Sequence, residues 1–186
     1  MKSREYYLDL LHGHIKNPKM IAHSLASEAV MRALARRFEA DEDVWGLAGL
    51  LHDIDVEDTQ ADPLRHGPEG AALLKAEGLP PEAADAVLLH NEKATPGRKR
   101  STVFQHSLAA GETITGLIFA VALVYPDKKI SSVKPKSVTK RMKEKLFAAS
   151  VHRENIMECE VIGLSLDEFA VLALNALIPI QHELGF

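Results

Sequence analysis

The sequence predicts an all-α fold. Nearly every segment between glycine and proline breakers repeats its apolar residues with helical periodicity, and no run alternates with the period of two that a half-buried strand needs. At 186 residues, with 46% hydrophobic and 26% charged residues, the chain has the length and composition of one globular domain. We therefore expect one helical domain over residues 1–186. Its core motif region covers 18–124, and the basic segment and C-terminal helices of 127–186 pack on it.

The first half of the chain predicts three helices. A short helix is expected over residues 5–12, and the Asn17-Pro18 pair then opens a long one, because proline is tolerated in the first helical turn. The string "EADED" ends that helix and caps the next, whose apolar run leads into "GLLHDID" at residues 49–55. The polar stretch "DVEDTQADPLRHG" is expected to be irregular.

The second half predicts two short helices, over residues 68–77 and 81–91, followed by the loop "KATPGRKRS". Ser101 then caps a long helix over residues 102–124, which Pro126 terminates. The second half of the basic run "DKKISSVKPKSVTKRMKEK" is expected to form a solvated helix that ends in "LFAA". A capping box that starts at Ser165 begins the last helix, and Pro179 breaks it.

Composition excludes several classes of function. A net charge of −4 lacks the strongly basic footprint of a protein that binds nucleic acid polymers, and it gives no special affinity for anionic membranes. The apolar run of residues 116–125 is about half of the roughly 20 residues that span a bilayer. The N-terminal string "MKSREYYLDLLHGH" lacks the apolar core of a secretory signal. Cys159 is the only cysteine, which excludes an intramolecular disulfide and a thiolate zinc site, and we expect a cytoplasmic protein.

His52 and Asp53 stand at the end of an apolar helical run, in a chain that carries nine histidines. Both side chains need polar partners once they leave water. A divalent metal ion satisfies both, because imidazole nitrogen and carboxylate oxygen suit hard and borderline first-row ions. A structural hydrogen bond between His52 and Asp53 is the alternative.

Four other residues have a setting that suits a ligand. His23 lies on the apolar side of the long preceding helix, where a helix hairpin would bring it opposite His52. His66 and His90 stand at helix ends and are either ligands of a second metal or satisfied core histidines. Glu112, inside an otherwise apolar helix, is either a ligand or a buried acid paired with a neighbouring histidine.

The remaining histidines and acidic residues near the motif are not predicted to bind metal. His106 is left out of the ligand set, because its helical position is about 240° away from Glu112. Asp55, Glu57 and Asp58 are expected to lie in a solvated loop, with a supporting or proton-transfer role as the alternative. The other histidines are expected to be surface or packing residues: His12, His14, His152 and His182.

The order of these residues resembles the HD-domain superfamily of metal-dependent phosphohydrolases, whose pattern is H…HD…D on an all-α fold. The strings "GLLHDID", "HGPEGA", "HNE" and "TGLI" are most similar to its small, stand-alone HDIG-type members, over roughly residues 18–124. The late acid is Glu112 where the family pattern has Asp. In addition, "HDIDVED" lacks the "HDxxED" spacing of the guanosine-polyphosphate hydrolases, which disfavours that substrate.

The resemblance implies one or two divalent ions (Mn, Fe, Ni, Co or Zn), with Asp53 bridging the two. It also implies hydrolysis of a small phosphoester, especially a nucleotide, by attack of metal-bound hydroxide, with His52 and Asp53 as catalytic residues. The predicted metal ligands are His23, His52, Asp53, His66, His90 and Glu112.

A basic rim should receive the substrate phosphate, although basic runs also form simple solvated faces. The candidates are Arg98, Lys99, Arg100, Lys134 and Lys136. The alternative function is a catalytically silent HD domain with a structural metal, which binds a ligand or partner protein for regulation. Glu112 in place of Asp keeps that alternative open, and the sequence leaves both a monomer and a homodimer open.

Overall fold

The computed structural model describes residues 1–186 as helices joined by turns, without strands, which confirms the all-α prediction. Short 3-10 segments follow α5, α6 and α9. The nine α-helices are α1 (Arg4–His14), α2 (Pro18–Arg37), α3 (Glu42–Leu51), α4 (Pro68–Ala76), α5 (Pro81–His90), α6 (Val103–Leu123), α7 (Pro135–Met142), α8 (Arg153–Val161) and α9 (Leu166–Leu177).

Helices α2 and α3 form the closely packed hairpin that the sequence predicted. The Asn17 side chain caps α2, and the Asp41 carboxylate accepts hydrogen bonds from two backbone amides in the first turn of α3. At Gly49 the two backbones nearly touch, because a Cβ atom placed there would lie 2.6 Å from the carbonyl oxygen of Ser27. Only glycine permits this approach, and it sets the position of the residues that follow α3.

Helix α6 passes through the centre of the fold and contacts α2, α3, α5, α7, α8 and α9. It is long and apolar enough to cross a membrane by length and composition, as is the bent pair formed by α8 and residues 166–180. However, 67% of the most apolar window of α6 is buried inside the fold, as expected of a core helix.

Three details differ from the sequence prediction. Thr102, not Ser101, caps α6, because its hydroxyl accepts the Gln105 amide in a capping box. Helix α7 ends at Met142, and the following "KEKLFAAS" forms turns instead of continuing it. Helix α8 was not predicted as a separate element. Four of its nine residues are charged, and it buries only Ile156 and Cys159.

A single hydrophobic cluster joins the N-terminal and C-terminal parts of the chain. Its members include Leu50 of α3, Leu117 of α6, Ile156 of α8 and Phe169 of α9, all fully buried. The prediction of one domain over the whole chain stays a prediction, and this shared core supports it.

We predict that Gly49→Ala destabilises the protein. The added methyl group meets the Ser27 carbonyl, so α2 and α3 must separate, and such overpacking costs about 1–3 kcal/mol. For a chain of this length, the melting temperature should fall by about 3–10 °C. Gly13→Ala in α1 is the matched control, because nothing lies within 4 Å of its added Cβ, and its melting temperature should stay unchanged or rise. Equal melting temperatures for the two variants would contradict the close approach.

Candidate metal centre

Six polar side chains meet where the ends of α3 and α5 face the middle of α2 and α6. They are the six residues predicted as metal ligands, and the structure brings all of them together. His23 comes from α2, His52 and Asp53 directly follow α3, His66 precedes α4, His90 ends α5, and Glu112 lies in α6.

The first group of ligand atoms centres on His23 and His52. Their Nε2 atoms are 3.1 Å apart. The Asp53 Oδ2 atom lies 3.3 Å from the Nε2 atom of His52 and 3.6 Å from that of His23. The Glu112 Oε2 atom completes the group, 3.8 Å from the Nε2 atom of His23. Two nitrogens and two carboxylate oxygens therefore surround one small volume.

The second group centres on His66 and His90, whose Nε2 atoms are 3.0 Å apart. The other carboxylate oxygen of Asp53, Oδ1, lies 3.2 Å from the Nε2 atom of His66 and 3.4 Å from that of His90. Asp53 thus presents one oxygen to each group. This geometry is compatible with the bridging role that the family resemblance implied for Asp53, and that role stays a prediction.

The Nδ1 atom of each histidine has its own partner. His52 Nδ1 donates to the Gly49 carbonyl at 2.8 Å, and His90 Nδ1 donates to the Val87 carbonyl at 2.5 Å. These bonds place a proton on Nδ1 and leave Nε2 free to bind a cation.

His23 follows the same rule through Thr115. The Thr115 hydroxyl donates its single proton to the Glu112 carbonyl at 2.7 Å, so it can only accept from His23 Nδ1, at 2.9 Å. The Nε2 atom of His23 is therefore the atom that faces the centre.

The donor set fits a divalent ion in each group. Two nitrogen ligands bound at roughly 2.1 Å to one ion lie about 3.0–3.4 Å apart, which matches the Nε2 separations of 3.1 and 3.0 Å. Imidazole and carboxylate without thiolate suit Mn, Fe, Co, Ni or Zn. Converging Nε2 atoms can be satisfied only by a cation, either a shared proton or a metal ion.

Asp53 controls the charge of the histidines around it. Burial opposes charge on His52 and His66, but nearby acceptors outweigh it: Asp53, Glu112 and the Gly49 carbonyl raise the pKa of His52 to about 9, and Asp53 and Asp55 raise that of His66 to about 10. Burial lowers the pKa of His23 to about 4 and also lowers that of His90. Each group therefore holds one protonated and one neutral imidazole in the metal-free protein, with the proton in the position that an ion would take.

Glu112 lies beside a histidine, which fits either of the two settings that the sequence left open for it. His23 lies at 3.8 Å, and the Thr113 hydroxyl donates to Glu112 Oε1. Burial raises the pKa of Glu112 to about 7, with the His52 charge acting against it. A metal ion would favour the ionised carboxylate still further.

The prediction that Asp55 lies in a solvated loop is wrong. Its side chain is buried, and Oδ1 accepts from His66 Nδ1 at 2.7 Å. The other oxygen accepts the backbone amides of Gly67 at 2.8 Å and Gly70 at 2.6 Å, at the start of α4. Although burial opposes its charge, hydrogen bonds from His66 and the Gly70 amide keep the pKa of Asp55 below its usual value. Asp55 therefore orients His66 and caps α4.

Two glycines in "HGPEG" make room for this carboxylate. Gly67 has a φ of 98°, which side chains rarely adopt, and a Cβ atom on Gly70 would lie 3.0 Å from the Asp55 carboxyl carbon. The spacing of the two glycines after His66 was the sequence signal that could have identified Asp55. Glu57 is also not free, since it accepts the amides of Lys16 and Asn17 ahead of α2.

Arg100 has a different role from the predicted phosphate contact. Its side chain is only 5% exposed, and its N–H groups donate to Glu158 and to the carbonyls of Leu89 and His90 at the end of α5. Its remaining N–H faces Asn155 at 3.4 Å. All five donors are therefore engaged within the protein.

Glu158, on α8, was missed by the sequence analysis. It accepts from Arg100 and also from His106 Nδ1 at 2.8 Å. His106 is thus not among the converging ligand atoms, as expected. Instead it donates a hydrogen bond to Glu158, which binds Arg100 and so connects to the end of α5. These contacts connect the unpredicted helix α8 to the end of α5, and so to His90.

A polar cleft of about 420 Å³ opens beside the second group and reaches Asp53 and Glu112. Of the five predicted phosphate-binding residues, only Arg100 lines it. Arg98 instead pairs with Asp85 at 2.6 Å, beside a different cavity. Lys99 is exposed outside the cleft, and so are Lys134 and Lys136, with Lys136 on α7 and Lys134 just before it. The remaining cleft residues are Ala61, Pro63, Asn91, Glu92, Lys93, His152, Glu154 and Asn155.

The comparison with protein families matches residues 20–122 to the HD domain model. Neither the comparison with curated proteins nor the comparison with solved structures gave a match. The matched region contains all six converging ligands and ends before α8.

We predict that Asp55→Asn weakens the second ion selectively. The substitution removes the charged acceptor that orients His66, and the loss of such a partner lowers metal affinity by about 10–100-fold. Metal equivalents per chain, measured against a competing chelator, should fall from near two toward one. Asp58→Asn is the control, because this exposed residue in the same loop pairs only with His14. Equal metal content in both variants would exclude this role for Asp55.

We also predict that metal binding releases protons. The pKa values of about 9 for His52 and about 10 for His66 lie above neutral pH, so each ion must displace a proton that the metal-free protein holds. Apparent affinity should therefore rise as pH rises, by roughly tenfold per pH unit for each ion between pH 7 and 9. Calorimetry in buffers of different ionisation enthalpy counts the protons. Binding without proton release would show that the ions lie elsewhere.

Proposed function

The chain belongs to the HD domain family, and from that premise we propose that it is a metal-dependent hydrolase of a small phosphoester. The observation that carries the proposal is the convergence of four imidazole Nε2 atoms and two carboxylates on two adjacent positions. Such groups are costly to bury, and a divalent ion at each position compensates them. We propose the cytoplasm as the compartment, in keeping with a single, buried, free cysteine.

A divalent ion in this environment supplies Lewis acidity for a phosphoryl oxygen and an activated water at neutral pH. Asp53 would hold both ions, because it offers one oxygen to each group. His52 is only 1% exposed, so its orientation is fixed by packing and by the Gly49 carbonyl. The cleft gives a substrate access to the second group and to Glu112.

The phosphoester would enter with its phosphate toward Asp53 and its alcohol toward the outer cleft. This direction follows from the lining, because the ligand groups close the inner end while the carboxylates of Glu92 and Glu154 are exposed at the outer end. Preorganised groups at the inner end would stabilise the negative charge that develops on the phosphate in the transition state.

We predict that Asp53→Asn abolishes hydrolysis. The amide keeps the shape of the side chain but removes the charge that both ligand groups share, so metal loading and turnover should fall together by more than about 100-fold. The measurement is phosphate or alcohol release from mono- and diesters by protein loaded with Mn²⁺, together with metal content. Asp58→Asn should retain both activity and metal.

The catalytically silent alternative gives a different result in the same assay. The wild-type chain would then bind metal and lose melting temperature on chelation, yet release no product from any ester with Mn, Fe, Co, Ni or Zn. That outcome would replace the hydrolase with a regulatory binding domain whose metal is structural.

A further inference from the structure

The outer cleft differs in chemistry from the usual small-molecule site, which is lined mainly by apolar and aromatic side chains. Of the residues that line its roughly 420 Å³, Ala61 and Pro63 alone are apolar, and its only aromatic rings are the imidazoles of His66, His90 and His152. Resting on the proposed phosphohydrolase function, we infer that the substrate is the monophosphate of a small hydroxylated molecule, such as a sugar or polyol, and not a nucleotide.

A nucleobase would find little stacking surface in this cleft. Proteins hold an unpaired base mainly by stacking it on aromatic or flat apolar side chains. The Trp and Phe ring pairs of this protein lie elsewhere: Trp45 stacks on Phe104, with 4.7 Å between ring centroids, and Phe119 packs against Phe186. Within the cleft, the Nε2 atoms of His66 and His90 converge with Asp53, and His152 lies 3.3 Å from Glu154, so stacking on a base would compete with these contacts.

Carboxylates occupy the place where the alcohol of the ester would lie. Glu92 lies 3.7 Å from Arg100, and Glu154 lies 3.3 Å from His152, with both carboxylates partly open to the cleft. An ionised carboxylate only accepts hydrogen bonds, so it binds hydroxyl groups and repels a second phosphate. This lining therefore favours several hydroxyls and one phosphate over a di- or triphosphate.

One cation remains available for that phosphate. Arg100 has no free N–H, but Lys93 lines the cleft and forms no ion pair with any carboxylate of the chain. Asn155 adds a neutral donor, because its amide gives one N–H to the Thr113 hydroxyl at 3.4 Å and keeps the other. Lys93 and Asn155 are the residues that we assign to the phosphate in place of the basic runs.

Part of the cleft lining lies outside the region that matches the HD domain model. Glu154 and Asn155 belong to α8, and His152 precedes it, whereas the match ends at residue 122. Arg100 and Glu158 hold α8 against the end of α5. The residues assigned to the alcohol therefore come from both parts of the chain: Glu92 lies inside the matched region and Glu154 outside it.

The test compares kcat/KM of the Mn²⁺-loaded protein across three sets of monoesters. Glycerol 3-phosphate, glucose 6-phosphate and inositol 1-phosphate represent the inferred class, AMP, GMP and thymidine 5′-monophosphate represent nucleotides, and p-nitrophenyl phosphate measures the phosphatase chemistry by itself. At least one polyol phosphate should exceed every nucleotide by about tenfold or more, since the cleft offers a base little stacking surface and offers hydroxyl groups two carboxylate acceptors.

Glu154→Gln tests whether Glu154 binds a hydroxyl group of the substrate alcohol. It should lower kcat/KM for the best polyol phosphate by about tenfold relative to p-nitrophenyl phosphate, because a charged acceptor for a hydroxyl is lost. Glu160→Gln, on the same helix but outside the cleft, should leave that ratio unchanged. A merely structural role for Glu154 would lower both rates equally, and that result would overturn its assignment to the alcohol.

Two further outcomes separate this inference from the proposed function. Turnover of nucleotides at or above the rate of every polyol phosphate would overturn the substrate class and leave the phosphohydrolase intact. Absence of product from all three sets, and from bis(p-nitrophenyl) phosphate, would overturn the phosphohydrolase and the substrate class together.

Discussion

The buried carboxylate of Asp53 is the interaction on which the polar interior of this protein depends. It lies between two pairs of imidazoles and within 3.6 Å of a nitrogen in each of the four rings. Without it, each pair would bring together two like groups that compete for one proton. With it, each pair becomes a position of negative potential that a cation fills. The location of Asp53, directly after α3 and next to His52, lets one short turn serve both positions.

The partners behind the ligands come largely from the backbone. The carbonyls of Gly49 and Val87 fix the rings of His52 and His90, and these carbonyls belong to the same helices or turns as the rings that they hold. Their geometry is therefore inherited from the helix itself and needs no additional side chain. His66 stands outside a helix, and for this reason it depends on a side chain, Asp55, that is itself held by two amides at the start of α4.

The C-terminal part of the chain contributes none of the six converging side chains. It connects to them through a buried ion pair. Glu158 of α8 binds Arg100, and Arg100 in turn binds the last carbonyls of α5. A buried pair of this kind is expensive unless every donor is engaged, which is the case here. Helix α8 can thus form a wall of the cleft while the family-matched region carries the metal ligands.

The sequence by itself determined the all-α class and which polar residues meet at the centre. Helical periodicity is a local property, and His23, His52, His90 and Glu112 stand out because each is polar on or beside an apolar helical surface. The tertiary structure alone distinguished Asp55 from Glu57 and Asp58, since three acids in one irregular stretch look alike until α4 brings its amides to one of them. Only the tertiary structure shows that Arg100 forms an ion pair with Glu158 and that α8 lines the cleft. These contacts join residues up to 58 positions apart, and such pairings depend on how helices pack, which no local pattern encodes.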